Sequence, residues 1–255
     1  MKVFGHLAPV YDLLYADKDY GREARFVLEL IQRHAPGART ILELGCGTGA
    51  HAVHLVNEGY EIHGVDLSAE MLDRAGEGLA QLPAELAAGL TFSQGDLRTL
   101  RLGRTFDAVI ALFHVVSYQP TNHDLQAAFA TAREHLQSGG VFIFDFWYGP
   151  AVLTERPAVR VKRVEDEVIS VTRIAEPVLL VNDNLVEVRY HFFVQDKACG
   201  AYETFQESHR MRYLFKPEID RLFIEHGLIS LECKEWMTGR EPGTETWGVY
   251  AVGRK

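Results

Sequence analysis

Cysteine is scarce in this chain: Cys46, Cys199 and Cys233 are the only three in 255 residues. The number is odd and no Cys-x-x-Cys pair occurs. That argues against a disulfide framework or a zinc site and suits the cytoplasm. Long apolar runs are also missing. No stretch approaches the roughly 18 residues that a membrane-spanning helix needs, so no membrane partner is expected. The opening MKVFGHLAPVYDLLY lacks a basic cluster leading into a long apolar segment and does not resemble a signal peptide. Basic charge is in the minority, with 26 Lys and Arg against 35 Asp and Glu, a net charge of −9. Such a surface repels a phosphate backbone and makes nucleic acid a poor partner. Internal repeats and low-complexity tracts are absent as well, which excludes repeat architectures. What is present is ordinary for a soluble globular protein, 47% hydrophobic and 24% charged. The length fits one large domain, or a core domain with an appendage.

The first 145 or so residues alternate helical and strand patterns. Ala24, Val27, Leu28 and Ile31 recur at helical spacing and predict an amphipathic helix over residues 19–34. Residues 40–44 form a short apolar run of buried-strand type. Residues 48–58 are expected to be helical, with Ala52, Val53 and Val56 inward and Gly59 as the stop. A strand over 61–65 follows, then Ser68 as the cap of a helix over 69–79. Further strands are expected at 90–93, 106–112 and 141–146, with a helix over 122–136 closed by Gly139-Gly140. Alternation of this kind predicts an α/β fold with a parallel sheet covered on both faces. After Pro150 the texture changes to short alternating runs such as VISVTRI and LVEVRYHFFV. These predict an antiparallel meander of about four strands. A helix opened by Pro217 and two last strands then return to the core sheet. The expected organisation is a core over 1–150, a β layer over 151–215 and a completing segment over 216–255.

Residues 41–50, ILELGCGTGA, place glycines after a strand and before a helix. Gly45, Cys46, Gly47 and Gly49 permit a sharp turn and close backbone approach to a ligand at the helix N-terminus. Gly45, Gly47 and Ala50 even satisfy the dinucleotide pattern. Asp66, ending the next strand, can accept from two ribose hydroxyls, which suits NAD and S-adenosylmethionine (SAM) equally. Glu43 discriminates between them. A carboxylate beside the turn would repel a pyrophosphate, whereas SAM carries a sulfonium and an ammonium. In FSQGDL, Asp96 can accept from the adenine amino group while the Leu97 amide donates to a ring nitrogen, with Gly95 in the turn. The strand FDAVIAL leaves the sheet near Leu112 and Phe113, at the crevice where open α/β sheets bind ligands.

With ELGCGTG, VDLS, QGDL, FDAVIAL and HLQSGG in this order, the chain resembles the class I SAM-dependent methyltransferases over about residues 10–146. The resemblance implies a Rossmann-like sheet flanked by helices, with an inserted antiparallel β layer over the active site. It implies SAM as donor, S-adenosylhomocysteine as product and no metal. The steps VDLS and QGDL carry Asp66, Leu67, Asp96 and Leu97, and the helix behind the ribose brings Met71. No Pro-Pro follows the fourth strand, where methyltransferases of nucleobase amino groups carry it. The segments VYDLLYADKDY, DFWYGPAV and ESHRMRYLF are similar to those of the N-methyltransferases of nucleotide-linked amino sugars. By that resemblance Tyr11 and Tyr20 close over the cofactor, and Trp147 and Tyr148 line the acceptor pocket. Tyr118 stands where those enzymes place a histidine near the amine. His114, at the exit of the fourth strand, and His209 join Tyr118 as catalytic candidates, and Arg210 as a candidate for a substrate phosphate. Plainer readings stand beside these. Tyr11 and Tyr15 share a helix face that packs on the core equally well. Trp147 and Tyr148 also suit a core, and a strand arginine suits a solvated edge. The expected enzyme methylates a small molecule, an amine of a nucleotide-linked sugar. The alternatives are O- or N-methylation of another metabolite, or a module that holds SAM without turnover. The open edges of a β meander also allow a homodimer.

Overall fold

The computed structural model describes residues 8–255, with side chains from Val10 onward. The opening residues, where no signal peptide is expected, lie largely outside the described part. Helices α1 (Ala8–Leu14) and α2 (Tyr20–His34) lead into strand β1 (Thr40–Leu44). The Asp19 carboxylate caps α2 by accepting from the Arg22 amide at 2.8 Å, and Ala24, Val27, Leu28 and Ile31 face the core as their spacing requires. Then follow α3 (Ala50–Asn57), β2 (Glu61–Asp66), α4 (Ala69–Ala80), the short α5 (Ala84–Ala87), β3 (Leu90–Gln94) and β4 (Phe106–Ala111). Ser68 caps α4 through the Met71 amide, as expected. In α3 the buried residues are His51, Ala52, Leu55 and Val56, while Val53 is only half-buried. A histidine thus takes a core position on this helix, where the apolar spacing predicts Val53.

Helix α6 (Asn122–His135) ends one residue early, and β5 (Leu136–Tyr148) begins at once. The paired glycines Gly139 and Gly140 therefore lie inside the strand rather than closing the helix. Gly139 takes φ +83°, and the register to β4 shifts between Phe106 and Ala108. A strand bulge accounts for the glycine there. Helix α7 (Gly149–Glu155) follows β5 directly, where the sequence pattern shows only a change of texture. The antiparallel layer comprises β6 (Arg160–Glu165), β7 (Ile169–Leu180), β8 (Leu185–Asp196) and β9 (Tyr202–Leu214), four strands as the alternation predicts. Helix α8 (Lys216–Glu225), β10 (Ile229–Glu235) and β11 (Gly248–Arg254) close the described chain.

The core sheet runs β3-β2-β1-β4-β5, with β11 antiparallel on the outer edge of β5 and β10 beyond it. β1, β2, β3, β4 and β5 are mutually parallel. β11 occupies one edge of β5 as far as Trp147, so β9, which pairs with Trp147 and Tyr148, must take the edge that β4 vacates. β5 outruns β4, and its tip carries the antiparallel layer over the C-terminal ends of the parallel strands. That is where ligands bind in open α/β sheets, at the point where the strand order reverses between β1 and β4. Apolar clusters fill both faces of the core sheet. One is built around Phe129, Phe142, Phe144 and Phe223, the other around Val27, Ile31, Ile41 and Ile110. No helix among the described residues is long and apolar enough to cross a membrane.

Candidate active site

A cavity of about 970 Å³ opens between the strand ends and the β layer. This lies at the upper end of the few hundred to about 1,000 Å³ usual for ligand pockets, ample for a donor and an acceptor together.

The glycine turn after β1 forms one side. Gly45 takes φ +73°, and a Cβ there would lie 2.5 Å from a Val115 methyl. Its bareness lets the 3-10 turn over Val115–Tyr118 pack against β1. Gly45, Cys46 and Gly47 line the cavity, and a Cβ on Gly47 would meet no protein atom within 4 Å. Gly49 does not line it. Its missing Cβ makes room for the Phe92 ring, 2.7 Å from where that carbon would stand. Its expected ligand role is therefore a packing role at the start of α3.

Asp66, at the end of β2, accepts from the Gly47 amide at 2.8 Å and the Ser68 amide at 2.9 Å while facing the cavity. Each oxygen keeps a lone pair for a hydroxyl donor. Burial raises its pKa. Leu67, Met71, Gly95, Asp96, Leu97, Leu112 and Phe113 line the same half, together with Tyr11 and Tyr20 from the N-terminal segment. Asp96 is already engaged. Arg98 grips both its oxygens, at 2.6 to 3.1 Å, and that ion pair holds its pKa down. An adenine amino group would share this carboxylate with Arg98, which sequence reading did not anticipate.

Glu43 sits behind the turn rather than in the cavity wall, 1% exposed. Its Oε2 is buried with no hydrogen-bond partner, and His51 Nδ1 stands 3.7 Å from Oε1. Burial, with Asp66 nearby, pushes Glu43 up to about 8. An unsatisfied buried carboxylate oxygen next to a glycine turn fits a cationic ligand with a bridging water, and does not fit a pyrophosphate. The donor side thus suits SAM. His51, which the sequence offered no partner, proves central: it lines the cavity and bonds Glu23 at 2.8 Å. Burial alone would raise Glu23, but hydrogen bonds from His51 and Lys18 prevail and bring it to about 2.

The acceptor half lies under the β layer. Trp147 lines it with Trp247, the rings edge to face at 5.9 Å. Tyr148 points the opposite way, as neighbours on a strand must, and packs on the core beside Phe146. Tyr118 lines the cavity, and its hydroxyl lies 2.8 Å from His209 Nδ1. His209 does not reach the wall itself. It stands behind Tyr118, with Nε2 3.0 Å from Glu207, both residues no more than 3% exposed. Burial raises the Tyr118 pKa well above that of a free phenol, so the ring stays neutral. Arg210 faces away from this cavity and lines a separate surface hollow with Asn182 and Asn184. It cannot meet a substrate phosphate in the site.

The missed residue is Arg173. It follows Val171 and precedes Ala175 on β7, both buried, so an arginine on the inward phase was visible in VISVTRI. Its guanidinium lies 5.3 Å from the Tyr190 ring and 6.0 Å from the Tyr15 ring, and donates to the Tyr15 hydroxyl at 3.3 Å. Its Nε is buried without a hydrogen-bond partner, and the guanidinium shares the charge of the exposed Asp17 with Lys162. Among the described residues no cluster of His, Cys, Asp or Glu is arranged to hold a metal ion.

A methyltransferase-domain family model matches residues 41–140. The dTDP-3-amino-3,4,6-trideoxy-alpha-D-glucopyranose N,N-dimethyltransferase of Streptomyces venezuelae is 34% identical over 223 residues, spanning 87% of this chain and 89% of that one. The crystal structure of Streptomyces venezuelae DesVI has a TM-score of 0.80 at 32% identity, covering 100% of this chain and 99% of that one. SAM-bound CalS10, an amino pentose methyltransferase from Micromonospora echinaspora, has a TM-score of 0.75 at 27% identity, covering 100% and 99%. Sheet order, donor site and these relatives agree: the chain belongs to the class I SAM-dependent methyltransferases and is a methyltransferase that uses SAM.

Proposed function

We propose that the enzyme methylates the amine of a sugar carried on a nucleoside diphosphate. The carrying observation is Arg173, a cation in the cavity wall whose Nε is buried without a hydrogen-bond partner. A buried guanidinium nitrogen without a hydrogen-bond acceptor is costly unless the ligand brings one, and a diphosphate does. Trp147 and Trp247 offer flat apolar faces for a sugar or base ring. The Streptomyces venezuelae relative, named above as acting on a dTDP-linked amino sugar, supports the same acceptor class.

Bound SAM supplies a methyl group activated by its positive sulfur. The protein holds the acceptor nitrogen in line with that methyl group and keeps water out. Gly45, Cys46 and Gly47 admit the amino-acid end of the donor, His51 lines the wall there with the Glu43 carboxylate buried behind it, and Asp66 holds the ribose. Tyr11 and Tyr20 close the donor half. The neutral Tyr118 hydroxyl, backed by His209 and Glu207, is a hydrogen-bond partner for the amine or a neighbouring sugar hydroxyl rather than a base. We place the enzyme in the cytoplasm, which its free cysteines support. A second copy would pair along β6, whose outer edge carries the exposed Val161.

The test is release of S-adenosylhomocysteine with dTDP-3-amino-3,6-dideoxy-α-D-glucopyranose beside the same amino sugar without its nucleotide. Turnover of the first alone supports the reading. Equal turnover of both, or turnover only of amines that carry no phosphate, removes it.

A further inference from the structure

Phe113 and His114 take φ +63° and +64° in succession. Two adjacent non-glycine residues in the left-handed region are strained and persist only where the surroundings hold them. The holder is Asp145 on β5, 1% exposed. Its carboxylate accepts the His114 amide proton with both oxygens, at 3.1 and 3.2 Å. The same carboxylate places Oδ2 2.7 Å from His114 Nδ1. Nδ1 is buried and lies against this carboxylate without the alignment of a hydrogen bond. A proton on Nδ1 meets the Asp145 charge, which leaves Nε2 as the nitrogen with the lone pair, on a ring that lines the cavity. The ring stands between Phe113 on the donor side, at 5.7 Å, and Trp147 on the acceptor side, at 6.2 Å.

We propose that His114 is the general base of the methyl transfer and that Asp145 is its positioning residue. The proposal rests on an amine acceptor. The nitrogen lone pair forms the new N–C bond, the C–S bond breaks with its electron pair left on sulfur, and the N–H proton passes to His114 Nε2. Asp145 does two things for that step. It fixes the backbone that aims the ring, and it holds Nδ1 as the protonated nitrogen, so that Nε2 carries the accepting lone pair. Tyr118, neutral and bonded to His209, does not compete for the proton. His51 also lies within reach of the Asp145 charge, so a plain cofactor-binding role for Asp145 has to be separated from this one.

Two variants separate the roles. Asp145→Asn keeps an oxygen acceptor for the His114 amide but loses the charge and the tautomer control. His114→Gly suits the left-handed backbone and removes only the ring. With dTDP-3-amino-3,6-dideoxy-α-D-glucopyranose as acceptor, kcat falls about 100-fold or more in each, with KM for the acceptor shifting less than about threefold. Added imidazole restores part of kcat in His114→Gly and none in Asp145→Asn. SAM affinity by calorimetry stays within about threefold of wild type in both. Without any acceptor, a downfield proton resonance on His114 Nδ1 is present in the wild type and absent from both variants. Wild-type kcat in a folded, SAM-binding His114→Gly or Asp145→Asn protein overturns the proposal, as does absence of the resonance from the wild type. A wild-type enzyme that turns over other amines but no nucleotide sugar refutes the acceptor reading instead, and the same variants are then assayed with that amine.

Discussion

The Tyr118 hydroxyl lies 2.8 Å from His209 Nδ1, across 91 residues of sequence. One residue belongs to the 3-10 turn after β4, the other to the last strand of the β layer. The bond ties the layer to the core at the wall of the cavity. Tyr118→Phe removes it from a site where both partners are buried. Loss of a buried hydrogen bond of this kind costs about 1–3 kcal/mol of stability. A lower melting temperature together with a roughly tenfold or larger loss in kcat/KM is expected. Unchanged values of both would show that the contact matters to neither fold nor reaction.

Glu43 links the donor site to pH. Its folded value, about 8, lies above its ordinary 4.5. The sign follows: the stability of the SAM-free protein is greatest at low pH with respect to this group and declines as pH rises through 8. The midpoint temperature of the SAM-free wild type should therefore fall between pH 6 and 9 more steeply than that of Glu43→Gln. A cation beside Glu43 favours its charged form, so SAM binding at pH 7 should release close to one proton. Calorimetry in two buffers of different ionisation enthalpy measures this directly, and proton uptake, or release undiminished in Glu43→Gln, would contradict it.

Asp66→Ala removes the proposed ribose acceptor and also the anchor of the Gly47 and Ser68 amides. Hydrogen bonds to a charged group contribute about 1.5–3 kcal/mol each. SAM affinity should drop at least 30-fold, about 2 kcal/mol. An undiminished affinity in titration would remove Asp66 from the donor site.

Arg173 and Arg210 make a matched pair of predictions. Arg173→Met should raise KM for a nucleotide-linked acceptor about tenfold or more and leave the dissociation constant of SAM within twofold. Arg210→Ala, on the far face of β9, should change neither by more than about twofold. Steady-state kinetics with calorimetry on both variants checks the pair, and a larger loss in Arg210→Ala than in Arg173→Met would reverse the assignment.

The donor site was legible because its residues are local. Glu43, the glycine turn and Asp66 fall on neighbouring parallel strands, β1 and β2, so their spacing along the chain maps directly onto one end of the sheet. The helix cap at Ser68 was legible for the same reason, since a cap concerns a single turn of chain. Where local reading went astray, a contact from elsewhere decided. Gly49 looked like a ligand glycine and serves the Phe92 ring. Asp96 looked free for adenine and is held by Arg98. Gly139-Gly140 looked like a helix stop and is a bulge in β5.

On the acceptor side, alternation along a strand allows only one of His209 and Arg210 to face the site, and the same rule separates Trp147, which lines the cavity, from Tyr148, which the resemblance places there beside it. Which one depends on the phase of β5 and β9 relative to the core, and that phase is set by the pairing of Trp147 with Tyr213 and of Val188 with His209. The sequence by itself determined the fold class, the donor and the strand ends where it binds, because these follow from periodicity, turn chemistry and charge within short stretches. Only the tertiary structure decided the company of the acceptor side: Asp145 under His114, His209 and Glu207 behind Tyr118, and Arg173 in the cavity wall with its buried Nε unsatisfied. These pairings join strands far apart in the chain, and no local pattern carries the register that brings them together.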